Sequence, residues 1–280
     1  MKRWLFEQNF TGVSKAFGVA LLSAFMATVT VSCSSEKDVL VTEIEVSPSV
    51  SPVANPSTAK EFYVQGQYKH IQGDIQGAIA AYTKAISLNS QFVEAYNGRG
   101  LVQFDMGDRQ GAIADYNQAL GINPNNAQAY NNRGNARAAQ GDVNGAISDY
   151  NRAINLKANY PEAYNNRGNA RATQGNRSEA IADYSEAIRL NPKYAVAFNN
   201  RGNARAAQGD KQGAIKDYDE AIRLNPNFGA AYNNRGNARV ELGDKDAGLA
   251  DLKRAAEIFQ EKNNEQLYRQ VMENVKEIQQ

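Results

Sequence analysis

The chain has very little of the two residue types that most often build reactive or metal-binding centres. Its 280 residues include one cysteine, Cys33, and one histidine, His70. A single cysteine excludes a disulfide within the chain, and a single histidine leaves too few ligands for the usual zinc or iron sites. The sequence therefore predicts no metal site and no cofactor.

The chain also lacks an excess of charge of either sign. Its 31 basic and 30 acidic residues leave a formal net charge of +1. Proteins that bind nucleic acid usually carry a clear basic excess on one face or one domain. We therefore expect no nucleic-acid partner.

The first 32 residues have the layout of a signal peptide. Lys2 and Arg3 precede an uncharged stretch at residues 16–31, which ends in small residues around Cys33. This stretch is shorter than the roughly 18 to 20 residues that a membrane-spanning helix needs. Residues 1–32 are therefore predicted to direct export of the chain.

The segment around Cys33 resembles a bacterial lipobox, in which the cysteine is lipidated and becomes the mature N-terminus. The lipobox prefers Leu where this chain has Thr30, and Gly or Ala where it has Ser32. The resemblance implies lipidation at Cys33 and a periplasm-facing position at the cell envelope, and Ser34 resembles the outer-membrane sorting pattern. The alternatives are a secreted or soluble periplasmic protein that is cut nearby, and an uncleaved anchor.

Residues 33–58 change in composition to Ser, Pro and Val, with prolines at positions 48, 52 and 56. Such a segment is predicted to be a flexible tether. At about 3.1 Å per residue in polyproline geometry, it would reach on the order of 80 Å. The tether would separate the rest of the chain from the membrane.

The remainder of the chain repeats with a period of 34 residues, which is seen in its glycines and aromatics. The glycines are Gly66, Gly100, Gly134, Gly168, Gly202 and Gly236, and the aromatics are Phe62, Tyr96, Tyr130, Tyr164, Phe198 and Tyr232. The period defines six repeats, at 59–92, 93–126, 127–160, 161–194, 195–228 and 229–262. Positions 1 to 34 denote the place of a residue within its repeat.

Small residues at repeat positions 8, 20 and 27 and aromatics at 4 and 24 let two antiparallel helices pack closely. These positions resemble the tetratricopeptide repeat (TPR) family, and the Asn-Asn-Arg-Gly-Asn-Ala-Arg runs resemble cyanobacterial members. The resemblance implies an all-α fold, a right-handed solenoid of six helix hairpins. Residues 263–280 are predicted to be a capping helix, because Leu267, Val271, Val275 and Ile278 form one apolar stripe.

Turn residues separate the predicted helices. Gly-Asp pairs such as Gly141-Asp142 divide the two helices of a hairpin, since glycine ends one helix and aspartate caps the next. The fourth repeat has Gly175-Asn176 instead, with Glu179 three residues later, and is predicted to keep a capping arrangement. Asn-Pro pairs such as Asn191-Pro192 divide one hairpin from the next.

An arginine at position 7 and an aspartate at position 23 occur together in repeats two to six, and the first repeat has neither. This joint occurrence predicts a structural ion pair within each hairpin; the alternative is that both side chains are separately solvated. The predicted pairs are Arg99–Asp115, Arg133–Asp149, Arg167–Asp183, Arg201–Asp217 and Arg235–Asp251.

Asparagines are dense on the first helix of each hairpin. By resemblance to TPR proteins in which this helix lines a concave groove, we expect contacts with a peptide backbone from Asn132, Asn135, Asn166, Asn169, Asn200, Asn203, Asn234 and Asn237. The alternative is that these amides hydrogen-bond between neighbouring repeats. If the arginines at position 11 also face the groove, they would form a basic line suited to acidic peptides.

The functional prediction is a non-catalytic adaptor that binds other proteins in the concave groove at the bacterial cell envelope. Gly98-Arg99-Gly100 begins like a dinucleotide fingerprint, but it lies within a helix and lacks the later glycine. No enzymatic activity and no small-molecule substrate are expected. The alternative is a structural spacer that associates with itself.

Overall fold

The structure is a computed structural model that describes residues 54–280. These residues form thirteen α-helices and no strand. The helices are α1 Ala59–Ile71, α2 Ile75–Leu88, α3 Val93–Asp105, α4 Arg109–Ile122, α5 Ala127–Ala139, α6 Val143–Leu156, α7 Pro161–Thr173, α8 Arg177–Leu190, α9 Ala195–Ala207, α10 Lys211–Leu224, α11 Gly229–Glu241, α12 Lys245–Glu261 and α13 Glu265–Gln279. The predicted all-α fold is confirmed. The signal segment, most of the tether and Cys33 lie outside the described residues.

The turn within each hairpin is made by a glycine in the left-handed region. Gly141, for example, has φ +88°, and the amide of the next residue, Asp142, donates to the carbonyl of Arg137. The Asp142 carboxylate then accepts the Gly145 amide at 2.9 Å and caps α6. The same two devices join the helices of five of the six hairpins.

The fourth hairpin departs from the capping arrangement that its sequence predicts. Asn176 is the N-cap of α8, but its side chain makes no cap hydrogen bond. Its amide nitrogen instead lies 3.4 Å from the Gln174 side-chain oxygen, within hydrogen-bond reach. The capping prediction at Asn176 is wrong, because an amide has a donor that can bond backwards and a carboxylate does not.

The outer turns between hairpins use asparagine as a local hydrogen-bond acceptor. The Asn191 side-chain oxygen accepts the amide of Lys193 at 3.1 Å, and Asn123 and Asn225 do the same two residues ahead. These asparagines are the extended C-caps of the preceding helices. The outer turn therefore stops the second helix of one hairpin and begins the first helix of the next.

The core is a row of alanines and tyrosines between successive helices. The position 20 alanines are fully buried, and the position 24 tyrosines are no more than 2% exposed. A Cβ atom on Gly168 would lie 2.7 Å from the ring of Tyr184, so position 8 has no room for a side chain. The close approach of the two helices in a hairpin depends on this glycine.

Hairpins stack so that their first helices form one wall. Each of α1, α3, α5, α7 and α9 contacts the next first helix in this series as well as its own partner. The consecutive hairpins therefore build a solenoid. Within residues 54–280, no helix has both the length and the apolarity to span a bilayer.

The two ends of the stack are closed differently. At the C-terminus, Leu267, Val271 and Val275 of α13 are buried against α12. At the N-terminus, Glu61 stands at position 3, where the following five repeats have a fully buried alanine, and its carboxylate accepts the Thr58 amide at 3.0 Å. A polar first face and an added last helix are the features that end a stack of repeats.

Candidate interaction surface

Arg99 and each corresponding position 7 arginine bind the position 23 aspartate of the same hairpin. Arg167 donates through Nε and Nη2 to Asp183, with the shortest contact at 2.6 Å. The other four arginines make the same two-pronged contact to Asp115, Asp149, Asp217 and Asp251. The Asp183 side chain is 4% exposed and that of Arg167 is 15% exposed. These are partly buried ion pairs with bidentate geometry.

Position 11 supplies a second arginine to the same carboxylate, which the sequence did not indicate. Arg171 donates to Asp183 at 2.7 Å, and Arg137, Arg205 and Arg239 do the same in their own hairpins. In the second repeat Gln103 replaces this arginine, so Asp115 has one arginine. The position 11 arginines are thus occupied in ion pairs within their hairpins.

The remaining guanidinium nitrogen of the position 7 arginine, Nη1, contacts the preceding repeat. Nη1 of Arg167 donates to Asn151 at 2.7 Å, and Nη1 of Arg235 donates to Asp219 at 2.6 Å. The Arg167 guanidinium also lies 5.3 Å from the ring centroid of Tyr164. One arginine therefore links two helices of its own hairpin to the second helix of the hairpin before it.

The asparagines of the first helices form a second network between repeats. The Asn200 amide nitrogen donates to Asn165 and Asn169 of the preceding repeat, both at 3.1 Å, and Asn234 donates to Asn199 and Asn203 in the same way. Earlier in the chain, Asn166 donates to Asn131 at 3.1 Å. The side chain at position 6 thus joins positions 5 and 9 of the repeat before it.

Position 9 is also held from within its own hairpin. The hydroxyl of Tyr150 donates to Asn135, that of Tyr184 to Asn169 and that of Tyr218 to Asn203, each at 2.8 Å. Burial raises the pKa of these tyrosines well above the ordinary value, so the hydroxyls remain protonated donors. The last repeat closes the network with Asn274 of α13, which donates to Asn237 at 2.8 Å.

The predicted peptide-contacting amides are therefore brought together along one wall, and each of the eight already makes a hydrogen bond to a tyrosine or to another asparagine. Asn200 and Asn234 each use both amide hydrogens in bonds to the preceding repeat. This arrangement matches the alternative interpretation of the sequence, in which the amides hydrogen-bond between neighbouring repeats. Direct contact between these amides and a peptide stays a prediction.

The first two repeats depart from this pattern. His70 lies 2.9 Å from Asp105 of the second repeat, and position 5 of the first repeat is Tyr63 in place of asparagine. Among residues 54–280, no group of three or more His, Cys, Asp or Glu side chains is placed to hold a metal ion. The first two repeats therefore differ from the others in having an aromatic side chain, Tyr63, and an isolated contact between His70 and Asp105 where the others have asparagine networks.

Family comparison accounts for the repeating geometry. A model described as TPR repeat matches residues 66–107, 104–141, 134–175 and 168–209, and models described as tetratricopeptide repeat match residues 195–228 and 229–262. The chain belongs to the tetratricopeptide repeat family. No curated protein sequence matches this TPR chain.

Solved TPR structures resemble the chain over much of its length. The crystal structure of MamA is 30% identical, with a TM-score of 0.53, over 59% of this chain and 96% of MamA. PilW, described as a type IV pilus biogenesis factor, is 16% identical with a TM-score of 0.69, over 78% of this chain and 100% of PilW. YrrB, described as a TPR protein with an unusual peptide-binding site, is 20% identical with a TM-score of 0.52, over 69% of this chain and 98% of YrrB. The last two likenesses concern the fold alone.

TPR stacks of this kind are protein-interaction scaffolds, and the fold is typically non-catalytic. The chain is accordingly a TPR scaffold protein.

Proposed function

We propose that this TPR chain holds extended peptide segments of other proteins against the wall formed by its first helices. The observation that carries the proposal is the contact of each first helix with the next, from α1 to α11, which makes the wall continuous over six repeats. Positions 6, 9 and 13 lie on one face of each first helix, and at position 13 Ala139, Thr173 and Ala207 are exposed. A chain segment laid along the wall would cross successive helices.

The amide network limits what the wall contributes to binding. Micromolar affinity needs about 8 kcal/mol, and a net hydrogen bond adds only about 0.5 to 1.5 kcal/mol. Because Asn200 and Asn234 already use their donors, most of the binding energy has to come from contacts with partner side chains. The network instead keeps the wall rigid, which lowers the entropy lost when a partner binds.

We further propose that the chain works at a bacterial cell envelope, facing the periplasm and anchored by lipid on Cys33. Support comes from the basic residues near the N-terminus, the short uncharged stretch at 16–31 and the position of Cys33 at its end. Lipoproteins carry more than one acyl chain, which is what stable anchoring requires. The tether at residues 33–58 would then let the scaffold reach partners away from the membrane.

The anchor is tested in bacterial cells that express the full chain. Labelled fatty acid should enter the wild type, and Cys33→Ser should take up none and should leave the membrane fraction. A Ser34→Ala variant serves as the control, because it keeps the cysteine. Equal labelling of the wild type and Cys33→Ser would contradict lipidation at this residue.

The wall is tested with a photo-crosslinking amino acid placed at two sites in the full chain. Ala139 at position 13 reports on the wall, and Ala114 on the exposed face of α4 is a matched control. We expect protein adducts, identified by mass spectrometry, from Ala139 and few from Ala114. The proposal fails if neither site, or only Ala114, forms adducts.

The spacer alternative receives less support from the ends of the stack. Glu61 at the first face and α13 at the last face differ from the repeat faces that stack on each other inside residues 54–280. Light scattering of the purified chain should therefore give a mass that does not grow with concentration. Growth into longer assemblies would favour the spacer.

A further inference from the structure

We propose that a pocket at the start of the wall takes one large apolar side chain of the partner peptide, flanked in the peptide by an acidic and a basic residue. The proposal rests on the peptide binding proposed above and adds the partner's chemistry. The pocket lies where α1 begins, α2 ends and α3 begins. The residues used in the argument are Thr58, Lys60, Tyr63, Asn89, Phe92 and Glu94.

The floor of the pocket is aromatic because the first repeat breaks the asparagine pattern. Tyr63 occupies position 5, where the other five repeats have asparagine. Its ring centroid lies 5.2 Å from that of Phe92 and 5.8 Å from that of Tyr82. These distances are those of tilted aromatic pairs, so the rings hold each other in place.

The aromatic surface here is more open than at two of the three other outer turns with an aromatic residue. Phe92 stands at position 34, where Tyr160 and Phe228 are 9% and 5% exposed in clusters with buried alanines, while Tyr194 is partly buried like Phe92. Phe92 is only partly buried, because its neighbour is the ring of Tyr63 at the edge of a depression of about 490 Å³. A depression of this size accommodates an aromatic or long aliphatic side chain, and its burial would be favourable.

Two opposite charges line the pocket. Lys60 and Glu94 occupy position 2 of successive repeats, and both line the pocket. Neither forms a salt bridge among the described residues, whereas the arginines of the inner repeats are paired. An acidic partner residue near Lys60 and a basic one near Glu94 would set the direction of the peptide.

The pocket differs in chemistry from the rest of the wall, where asparagines of successive repeats are hydrogen-bonded to each other. Asn200 and Asn234 of the inner repeats use their amide hydrogens on asparagines of the preceding repeat. The first repeat has no such network at position 5, where the Tyr63 hydroxyl accepts from Gln67 at 3.1 Å and Tyr63 lines the pocket. Selectivity for a partner sequence would therefore concentrate at this end of the stack.

The test begins with a phage-displayed library of random nine-residue peptides, selected on the purified full chain in detergent. Selected peptides should contain an aromatic or a large aliphatic residue between an acidic and a basic residue. A fluorescein-labelled copy of the best peptide is then titrated by anisotropy against the wild type and Tyr63→Asn. The variant places at position 5 the residue that five other repeats carry, and we expect binding about tenfold weaker.

A charge reversal keeps the shape of the pocket and tests the direction in which the peptide binds. Lys60→Glu combined with Glu94→Lys should prefer a peptide with the two flanking charges exchanged, by about tenfold. Lys84→Ala, which removes an exposed charge on α2 away from the pocket, should change affinity less than about twofold. Circular dichroism of each variant verifies that the helices are intact.

The outcomes separate the pocket from the wall. Peptides that bind the wild type, Tyr63→Asn and the charge reversal equally would overturn the pocket and leave the scaffold standing. A selection that yields no binding peptide would overturn both proposals. A dimer of the full chain that Tyr63→Asn dissociates would show a second copy in the pocket and overturn its assignment to a peptide.

Discussion

The first repeat and repeats three to six share the same hairpin but differ in what joins them to their neighbours. Inside the first five hairpins a position 8 glycine meets a tyrosine ring, at Gly66 and Tyr82 as at Gly202 and Tyr218, and in the sixth Gly236 meets Leu252. Between hairpins, the later repeats use three-armed arginines and bridging asparagines, which the first repeat lacks. The difference shows that the packing inside the first hairpin recurs in the later ones, while these arginine and asparagine bridges start from repeats that have another repeat before them.

The comparison also separates stability from recognition. Repeats that satisfy their polar groups on each other form a rigid array, and they offer a surface of nearly the same chemistry in every unit. The first repeat has no preceding neighbour to satisfy, so its positions 3, 5 and 7 carry Glu61, Tyr63 and Gln65 in place of Ala, Asn and Arg. Substitutions in each region test this division.

The largest effect is expected at a carboxylate shared by two arginines. Asp183→Ala would leave Arg167 and Arg171 partly buried without their partner, and we expect a loss of about 3 kcal/mol in the free energy of unfolding. Asp115→Ala leaves one arginine, Arg99, and should lose about half as much. Urea unfolding, with hydrogen exchange of α7 and α8, measures both.

Glu186→Ala is the control for these two variants, because it breaks an exposed pair with Arg189 and should cost less than about 1 kcal/mol. Equal losses for Asp183→Ala and Asp115→Ala would show that the second arginine adds nothing. A double-mutant cycle on Arg167 and Asp183 without coupling would remove the ion pair as a stabilising feature.

The next effect should be alike in both regions. Gly66→Ala and Gly202→Ala each place a Cβ within 2.7 Å of a buried tyrosine ring, and each should lose about 2 kcal/mol. Gly121→Ala is the matched control: nothing lies within 4 Å of its Cβ position in α4, so the substitution should stabilise by about 0.5 kcal/mol. The melting temperatures of the three variants give the comparison. If all three lie above that of the wild type, or all three lie below it, the close contact is contradicted.

The amide bridges should give a smaller loss that differs along the stack. Asn200→Ala removes two hydrogen bonds at 3.1 Å and leaves the acceptors of Asn165 and Asn169 with fewer partners, for a loss of about 1.5 kcal/mol. Asn132 makes one weak contact, to Asn131 at 3.4 Å, and Asn132→Ala should lose less. Denaturant midpoints of the two variants give the comparison, and a larger loss at Asn132 would count against the network.

The smallest effect concerns pH at the N-terminal end. Backbone hydrogen bonds from Ser57 and Thr58 lower the pKa of Glu61 from 4.5 to about 2. A folded pKa below the unfolded value stabilises the first turn of α1 above pH 4.5, and that stabilisation is lost as pH falls toward about 2. Carbon NMR of the carboxyl group measures the titration, and Glu61→Gln should abolish the pH dependence of amide protection in this turn, taken relative to the intrinsic exchange rate at each pH. A midpoint near 4.5 would disprove the capping contact.

The hairpins and several contacts followed from the sequence because the repeats can be compared with each other. The joint presence of arginine at position 7 and aspartate at position 23, and their joint absence in the first repeat, predicted partners sixteen residues apart. The second arginine was missed, since Gln103 occupies position 11 in a repeat that keeps Asp115. In the last four repeats an arginine at position 11 occurs together with the aspartate at position 23, and this joint occurrence could have predicted the contact.

The aromatic pocket had no comparable signal. Tyr63 was visible only as one departure from asparagine, and its packing on Phe92 depends on the approach of α1 to the outer turn, 29 residues later in the sequence. Two other large side chains near this end have neighbours of their own, since Phe104 packs against Tyr116 and His70 faces Asp105. Side-chain size alone does not tell which face is covered by the next repeat.

The number of repeats, the helix pairs and the stack could be read from the residues alone, because small residues, turn glycines and caps act locally and recur every 34 residues. Which polar groups are used inside the stack, and which side chains remain open to a partner, depends on how neighbouring repeats pack. An asparagine can donate and accept on either side, so its role depends on the neighbour that the fold places within about 3 Å.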